Sequence, residues 1–546
     1  MNLLSRFLPR TEFESYDDFY KNAVPQVPEK FNFGYDVVDE YARLCPDKRA
    51  IVWCNSKGEE RMFSFKDVSE ISNKIVNLFL SMGIKKGDYI MTMLNRRWEY
   101  WMTAVACHKL GAVIIPATHL LTPKDIAYRC INANVRLLIA TAEEDVIEHI
   151  RLALDKCKTQ CVFTDDVDGF LNFDREFEKQ SSALPEIDRP YGDDSLLCYF
   201  TSGTTGQPKM VQHNFEYPVA HIVTAKYWQQ VVDDGLHLTM AETGWAKCSW
   251  GRIYGQWIAG TAQFIYDYNG RFTPTDILPF IGKYGVTTFC APPTIYRFIV
   301  KEDLSAYDLS SLKHCSTAGE ALNAEVFRQF YDATGLKIYE GFGQTESTVI
   351  LANYADFGEP IPGSLGKPSP VYDLALIDDE ENPVPDGCEG EIAIKLRPHQ
   401  IGLVASYKGD EQRTREARGV YYHTGDLATR DSNGVYWFVG RKDDIIKSSG
   451  YRIGPFEVES ALMEHPAVLE CAITGTPDPL RGQVVKATIV LAKGYAPSDE
   501  LKKELQNFVK RLTAPYKYPR VIDFVTEMPK TVSGKIRRVE IRNRDN

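Results

Sequence analysis

Apolar and polar positions along the first half of the chain switch period repeatedly. "FSFKDVSEISNKIVNLFLSMGIKKGDYIMTML" starts with apolar residues at helical spacing, stops at Gly83, turns at Gly87 and continues as an apolar run of strand length. "WEYWMTAVACHKLGAVIIPAT" repeats the plan, with Gly111 ending the helix, and "PKDIAYRCINANVRLLIAT" repeats it again. Such alternation predicts a parallel sheet covered by helices. The units share a pattern and not a sequence repeat.

The middle continues in kind. "NAEVFRQFYDATG" reads as a helix with Asn323 as N-cap, Val326, Phe327 and Phe330 on one face and Gly335 as the stop. "LKIYEGFGQTE" reads as a strand running into a glycine-punctuated turn, the kind of place where open α/β sheets bind ligands. From about residue 360 the texture changes. "LALIDDEENPVPDGCEGEIAIKL" reads as strand, turn, strand, with Pro385 and Gly387 in the turn. After "FVGRKDD" comes a smaller unit with a helix-then-strand, "EVESALMEHPAVLECAITG", and an amphipathic helix capped by Ser498 with Leu501, Leu505, Phe508 and Leu512 inward. The expectation is an α/β (mixed α+β) protein. A large N-terminal domain, 1–442, holds helix-covered sheets and a β-rich subdomain. A small, mobile α+β C-terminal domain covers 443–546.

Composition adds bounds. A chain of 546 residues is too long for a single core. With 44% hydrophobic and 25% charged residues it reads as a soluble globular protein. A net charge of −11 argues against a general nucleic-acid binder. Residues 501–546 nevertheless carry twelve Lys/Arg against five Asp/Glu, which suits a small polyanionic ligand. The twelve cysteines include no CxxC pair, so neither a zinc site nor a disulfide framework is expected, and a reducing cytoplasm fits best. No apolar run approaches the ~18 residues of a membrane span. The start, "MNLLSRFLPRTEFESYDD", reads as neither signal nor transit peptide.

Candidate chemistry begins at "TSGTTGQPK", Thr201–Lys209. Its glycines, Gly203 and Gly206, let backbone N–H groups approach an anion, while Thr201, Ser202, Thr204 and Thr205 add hydroxyl donors and Lys209 a point charge. The spacing is not that of a P-loop. "GFGQTE" ends in Thr345 and Glu346, an oxygen pair suited to magnesium on a polyphosphate. "YHTGDLA" puts Asp426 behind a Gly425 turn, where a carboxylate can accept both hydroxyls of a ribose, and "GRKDD" offers Arg441. "PKTVSGKIRR" puts Lys535 on a glycine-supported turn.

In order, TSGTTGQPK, GEAL, GFGQTE, YHTGD, GRKDDIIKSSGYRIGPFEVE and PKTVSGK resemble the adenylate-forming enzymes, that is acyl- and aryl-CoA synthetases, adenylation domains and luciferases. The resemblance covers essentially the whole chain. "SSGYRIGPFEVESALMEHPAV", "PDPLRGQVVKA" and "TAPYKYPR" are similar to the medium-chain acyl-CoA synthetases. The resemblance implies ATP, CoA and Mg2+, a carboxylic acid as substrate, and an acyl-AMP intermediate that a thiol resolves. It implies that Thr201–Lys209 hold the β- and γ-phosphates. Gly319, Glu320 and Ala321, with Glu340, Gly341, Phe342, Gly343, Gln344 and Thr345, would enclose adenine and the α-phosphate. Glu346 would help place magnesium, Asp426 and Arg441 would take the ribose, and Lys535 would bridge the carboxylate and the α-phosphate. For thioester formation the C-terminal domain would turn about Asp443, bringing Ser449, Gly450, Tyr451, Arg452, Arg481, Lys510 and Tyr518 to CoA, with Gly450 lining the thiol tunnel. Acetylation of Lys535 would silence the enzyme.

The acyl pocket would be walled by Trp245, Gly341, Phe342 and Gly343. Acetyl-CoA synthetases carry a tryptophan just before the QTE triplet. Gly343 stands there in this chain, which implies an opened pocket for a short-to-medium, branched or aromatic acid. The alternatives are an acetyl/propionyl-type ligase, an adenylating enzyme with a non-CoA acceptor, and a nucleotide-binding protein without catalysis. Intact Lys209, Glu346, Asp426 and Lys535 speak against the last.

Overall fold

A computed structural model describes residues 1–544 except 202–207, 269, 271, 321, 450 and 531–535. The expected site residues Ser202, Gly203, Thr204, Thr205, Gly206, Ala321, Gly450 and Lys535 therefore lie outside the described residues.

The alternation read along the first half becomes the helices Phe65–Ser81, Glu99–Leu110 and Pro123–Ala133, between the strands Tyr89–Met93, Val113–Pro116 and Val135–Ala140. The first helix starts on a capping box, Ser64 with Asp67, and the second ends where Gly111 takes φ 79°. The three strands pair in parallel within an eight-stranded sheet. The strand Ser195–Thr201 joins beside Val113–Pro116, also in parallel. It then pairs antiparallel with Lys209–Asn214, which sets Thr201 opposite Lys209. A second sheet has nine strands. Its parallel part runs through Leu236–Thr239, Thr288–Cys290, His314–Ala318 and Ile338–Gly343. All four end toward the same edge.

The helix Glu99–Leu110 is buried on every side, which its helical period does not reveal. It packs between the helices of both sheets in the main core, where two layers leave no face for water. The N-terminal stretch joins that core as well: Leu3, Leu4, Phe7 and Leu8 are all buried.

The strand–turn–strand after residue 360 is part of a four-stranded antiparallel sheet, Asp373–Ile377, Glu389–Lys395, Tyr421–Arg430 and Tyr436–Arg441. A five-stranded sheet begins with Ile446–Ser448 and carries its own apolar cluster. Against it packs the helix Asp499–Leu512, whose N-cap Ser498 accepts from Leu501 N–H. Its buried residues are Leu501, Leu505 and Val509, whereas Leu512 is exposed. The stripe follows i, i+4, i+8, so the expected inward position of Leu512 is corrected by one turn's drift.

Candidate active site

The site draws on three sheets: the end of Ile338–Gly343, the start of Lys209–Asn214, and the paired strands Tyr421–Arg430 and Tyr436–Arg441. The strand Ile338–Gly343 feeds Gln344, Thr345 and Glu346 straight into the site. Gln344 is the centre of the polar network. Its Nε2 donates to Asp426 Oδ2 at 2.6 Å and to Thr424 O at 2.7 Å, and its Oε1 accepts from the Tyr422 hydroxyl at 3.1 Å. Asp426 and Arg441 face each other in the register of neighbouring strands. Arg441 Nη1 donates to Thr424 O at 2.9 Å and lies 3.3 Å from Asp426 Oδ2. Gly425 takes φ 71°, a backbone conformation that favours glycine, and a Cβ there would lie 2.9 Å from the Arg441 guanidinium, which would have to shift. Burial draws the Arg441 pKa down, but the charges of Asp426 and Asp443 outweigh it and the net shift is upward.

Beside this network, Lys209 Nζ lies 3.3 Å from Glu346 Oε1, and the Tyr407 hydroxyl donates to the same oxygen at 3.4 Å. The Lys209 ammonium also sits 5.6 Å from the Tyr407 ring centroid. His213 contacts Thr345 O through Nε2 at 2.8 Å, and burial holds its pKa down to about 4, so it stays neutral and orients the turn.

On the neighbouring strand, Gly319 takes φ 102° and Glu320 pairs with Arg297 at 3.1 Å. Lys247 Nζ donates to Ala318 O at 2.7 Å. Glu340 is only 5% exposed, and its two oxygens accept from Leu322 N–H and Gly363 N–H, each at 2.8 Å. Its carboxylate thus ties two loops together, and burial pushes its pKa up to about 8 against those two bonds.

Gly341 and Gly343 lie on one face of their strand, and each lies against an indole. A Cβ at Gly341 would be 2.5 Å from Trp228 Cε2, and one at Gly343 would be 2.2 Å from Trp250 Cη2 and 2.5 Å from Thr348 O. Where the sequence reading expects an opened pocket beside Gly343, the structure places the Trp250 indole against the glycine. Phe342 alternates to the opposite face, toward Phe438 at 6.4 Å, so it is not brought together with the indoles. Trp245 is half-buried at the N-cap of the helix Ala246–Arg252, the helix that carries Lys247 and Trp250.

The AMP-binding enzyme family matches residues 38–401, and the AMP-binding enzyme C-terminal domain matches residues 457–535. The chain belongs to this family. Mouse (Mus musculus) "Acyl-coenzyme A synthetase ACSM3, mitochondrial" is 40% identical to this AMP-binding enzyme over 98% of the chain and 94% of the relative. Among solved structures, the anthranilate CoA ligase AuaEII in complex with anthranoyl-AMP shares 30% identity with a TM-score of 0.85, covering 95% of this chain and 98% of that one. A benzoate CoA ligase from Burkholderia xenovorans LB400 shares 26% identity with a TM-score of 0.82, covering 94% and 100%.

In this AMP-binding enzyme the described residues expected at CoA lie on several elements of the C-terminal domain: Ser449, Tyr451 and Arg452 at the strand Tyr451–Ile453, Arg481 before the next long strand, Lys510 on the helix Asp499–Leu512 and Tyr518 just after it. Ser449, at φ 49°, donates its N–H to Arg481 O at 2.9 Å and accepts from Arg481 Nη1 at 3.1 Å. Tyr451 stacks on Tyr516 with centroids 4.1 Å apart. Lys510 and Arg520 both lie over the Tyr518 ring, at 3.9 and 4.8 Å. Arg452 reaches Glu389 in the four-stranded sheet at 3.1 Å. Asp443 accepts from Arg441 Nε at 3.3 Å, next to Asp444, which pairs with Arg538 and Arg542. Sequence reasoning missed Tyr407, His213, Trp228, Trp250, Tyr516 and Arg520. Tyr516 and Arg520 both lie inside the quoted "TAPYKYPR" beside Tyr518, whereas Tyr407, His213, Trp228 and Trp250 lie outside every quoted motif and are brought in by long-range packing. Among the described residues no cluster of His, Cys, Asp or Glu forms a metal site, and no helix is long and apolar enough to cross a membrane.

Proposed function

We propose that this protein is an AMP-forming acyl-CoA synthetase. It joins a carboxylic acid to CoA at the expense of ATP, through an acyl-adenylate, releasing AMP and pyrophosphate. The observation that carries the reading is the Gln344–Asp426–Arg441 network one step from Lys209 and Glu346, in a chain of this family.

A carboxylate is a poor electrophile because its charge repels a nucleophile and oxide is a poor leaving group. Transfer of AMP converts the oxide into a phosphate ester. The protein's part is to align the carboxylate with the α-phosphate and to stabilise the charge that spreads over the phosphates. Asp426 receives the ribose hydroxyls, held in place by Gln344 and Arg441. Lys209 and the Thr201 end of the phosphate loop receive the β- and γ-phosphates. Lys535 adds the second cation. Glu346 fits Mg2+ as one hard carboxylate oxygen beside phosphate oxygens, which is how that ion is usually shared between protein and substrate. The magnesium ion neutralises phosphate charge when bound.

In the second stage the C-terminal domain, 443–546, turns about Asp443 and carries Lys535 away. Arg452, Arg481, Lys510 and Arg520 then meet the phosphates of CoA. These cations favour CoA over a carrier protein as acceptor.

The acid is short-to-medium, branched or aromatic. Trp250 against Gly343 favours a compact acyl group and keeps an acetyl/propionyl-type ligase as the second reading. All twelve cysteines are free, as in a reducing compartment, and the cytoplasm is the proposed one, although the mouse relative is named mitochondrial.

Pyrophosphate release measured with an acid panel from acetate to dodecanoate plus benzoate, with and without CoA, tests the reading. Acid-dependent release together with a CoA thioester as product is expected. Release without any thioester would assign another acceptor, and no release would refute adenylation.

A further inference from the structure

The C-terminal edges of the two large sheets are in contact, and one contact carries a buried carboxylate. The turn after Val113–Pro116 belongs to the first sheet, whose next strand is Ser195–Thr201. The turn after Leu236–Thr239 belongs to the second, on the side of Ala318 and Gly319. At Gly244 a Cβ would come within 2.3 Å of Thr118 N, so the two turns are in backbone contact.

A carboxylate joins them. Glu242, 6% exposed, accepts from Thr118 Oγ1 at 3.0 Å, from His119 N–H at 3.2 Å and from His119 Nδ1 at 3.2 Å. With Nδ1–H given to Glu242, the other ring nitrogen, Nε2, is the acceptor. The ring is part-exposed, at 25%, and Trp245 lies three residues beyond Glu242. This is a carboxylate–imidazole pair of the kind that removes a proton from a nucleophile.

We propose that His119, oriented by Glu242, is the general base that takes the proton of the incoming thiol in the second half-reaction. The assignment rests on the function proposed above. The thiol S–H gives its proton to His119 Nε2, and the thiolate attacks the acyl carbonyl carbon. The new C–S bond forms as the C–O bond to phosphate breaks, and AMP leaves with that electron pair. The imidazolium then returns its proton to solvent. A thiol with a pKa of about 8.5 is only a few per cent ionised near neutrality, so a base at this point has work to do. The charged groups facing the ring are Glu242, Glu143 and Arg96. Burial draws the His119 pKa down, the bond to Glu242 and its charge outweigh that, Glu143 adds to it, Arg96 opposes it, and the net shift is upward. Glu242 itself is drawn upward by burial, but His119, Arg96 and Thr118 bring it below its ordinary value, so it stays ionised.

The experiment compares wild type, His119→Ala and Glu242→Gln in both half-reactions. Acyl-AMP formation is read as pyrophosphate released without CoA, and thioester formation as single-turnover transfer from preformed acyl-AMP to CoA. In His119→Ala, acyl-AMP formation should stay within a few-fold of wild type, and thioester formation should fall on the order of 100-fold at about pH 7. The deficit should shrink toward about tenfold at about pH 9.5, where the thiol ionises unaided. Glu242→Gln should lie between the two. If His119→Ala is not recovered folded, His119→Gln carries the same test. A thioester deficit below about threefold, or one equal at both pH values, overturns the assignment. A wild type that forms acyl-AMP but no CoA thioester would overturn instead the reading on which it rests.

Discussion

Gly343 and Gln344 are adjacent in the chain and belong to two regions built in different ways. From Gln344 onward, on the nucleotide side, the protein has already paired its groups: Gln344 holds Asp426, Asp426 faces Arg441 across a strand pair, and Glu346 holds Lys209. Back from Gly343, on the acyl side, the strand contributes only the absence of side chains, and indoles from positions 228 and 250 take up the space. One side is preorganised polarity and the other is shape. Preorganised dipoles and charges lower a barrier without reorganising. Shape decides which acid is admitted, and its discrimination is limited to the transfer energy of a few methylenes. On the proposed assignment, reaction and selectivity reside in neighbouring residues and can be altered separately.

Replacing Lys535 with alanine is the largest expected break on the nucleotide side. Loss of a positioned charge should cost acyl-AMP formation about 3–4 kcal/mol, or ~100–1000-fold. Thioester formation from supplied acyl-AMP should persist if, as proposed, the C-terminal domain turns before that stage. Equal loss of both half-reactions would count against the two-stage account. Mass spectrometry should likewise find that the acetylated Lys535 form is inactive.

On the acyl side, Trp250→Leu should leave ATP binding alone and change the acid. If the indole ends the pocket, removing it admits about three more methylenes, worth roughly 2.4 kcal/mol or about 50-fold. The ratio of kcat/KM for hexanoate over acetate should rise by about that factor. An unchanged ratio in a folded, active variant would take Trp250 out of the acyl pocket. Gly343→Ala gives the complementary, smaller test. A methyl 2.2 Å from the Trp250 ring and 2.5 Å from a backbone carbonyl over-packs the strand, at a cost of roughly 1–3 kcal/mol. Activity should fall for every acid by about tenfold, without a shift toward acetate. A selective gain for acetate would restore the open-pocket view of Gly343.

The same contrast explains what was legible in the sequence. The nucleotide side is built from short motifs in which backbone direction and the chemical group arrive together. YHTGD places its turn and its carboxylate at once and GRKDD its guanidinium, so Asp426 and Arg441 could be proposed as a pair before their strand register was known. The parallel sheets were legible because alternating helix and strand periods leave few ways to cover both faces. The acyl side was not. Glycine at 343 reads equally as an empty space and as a slot for something else, and only the fold brings Trp250 to it across 93 positions of chain. His119 and Glu242 were missed for the same reason, since neither residue sits in a motif and their contact joins two sheets.

The smallest expected effect concerns Glu340, which supports both regions without facing either. Its carboxyl is buried, and burial raises its pKa from 4.5 to about 8 while Leu322 and Gly363 N–H groups oppose the shift. In the unfolded chain it titrates near its ordinary value. The folded state therefore binds more protons between those two pH values, and stability falls as pH rises through that window, levelling off above about 8. Glu340→Gln removes the titration but leaves one of the two N–H groups facing an amide nitrogen. The variant should unfold at a lower temperature than wild type at about pH 5.5, by roughly the 1–3 kcal/mol of an unsatisfied buried donor. The gap should narrow as pH rises to about 8.5, because wild type alone loses stability there. Thermal unfolding of both proteins across that range reads the difference directly. Parallel curves would mean that the two backbone bonds hold the carboxylate ionised throughout. The tie between the loops would then be a charged one, and the acyl side would rest on the same kind of preorganised polarity as the nucleotide side.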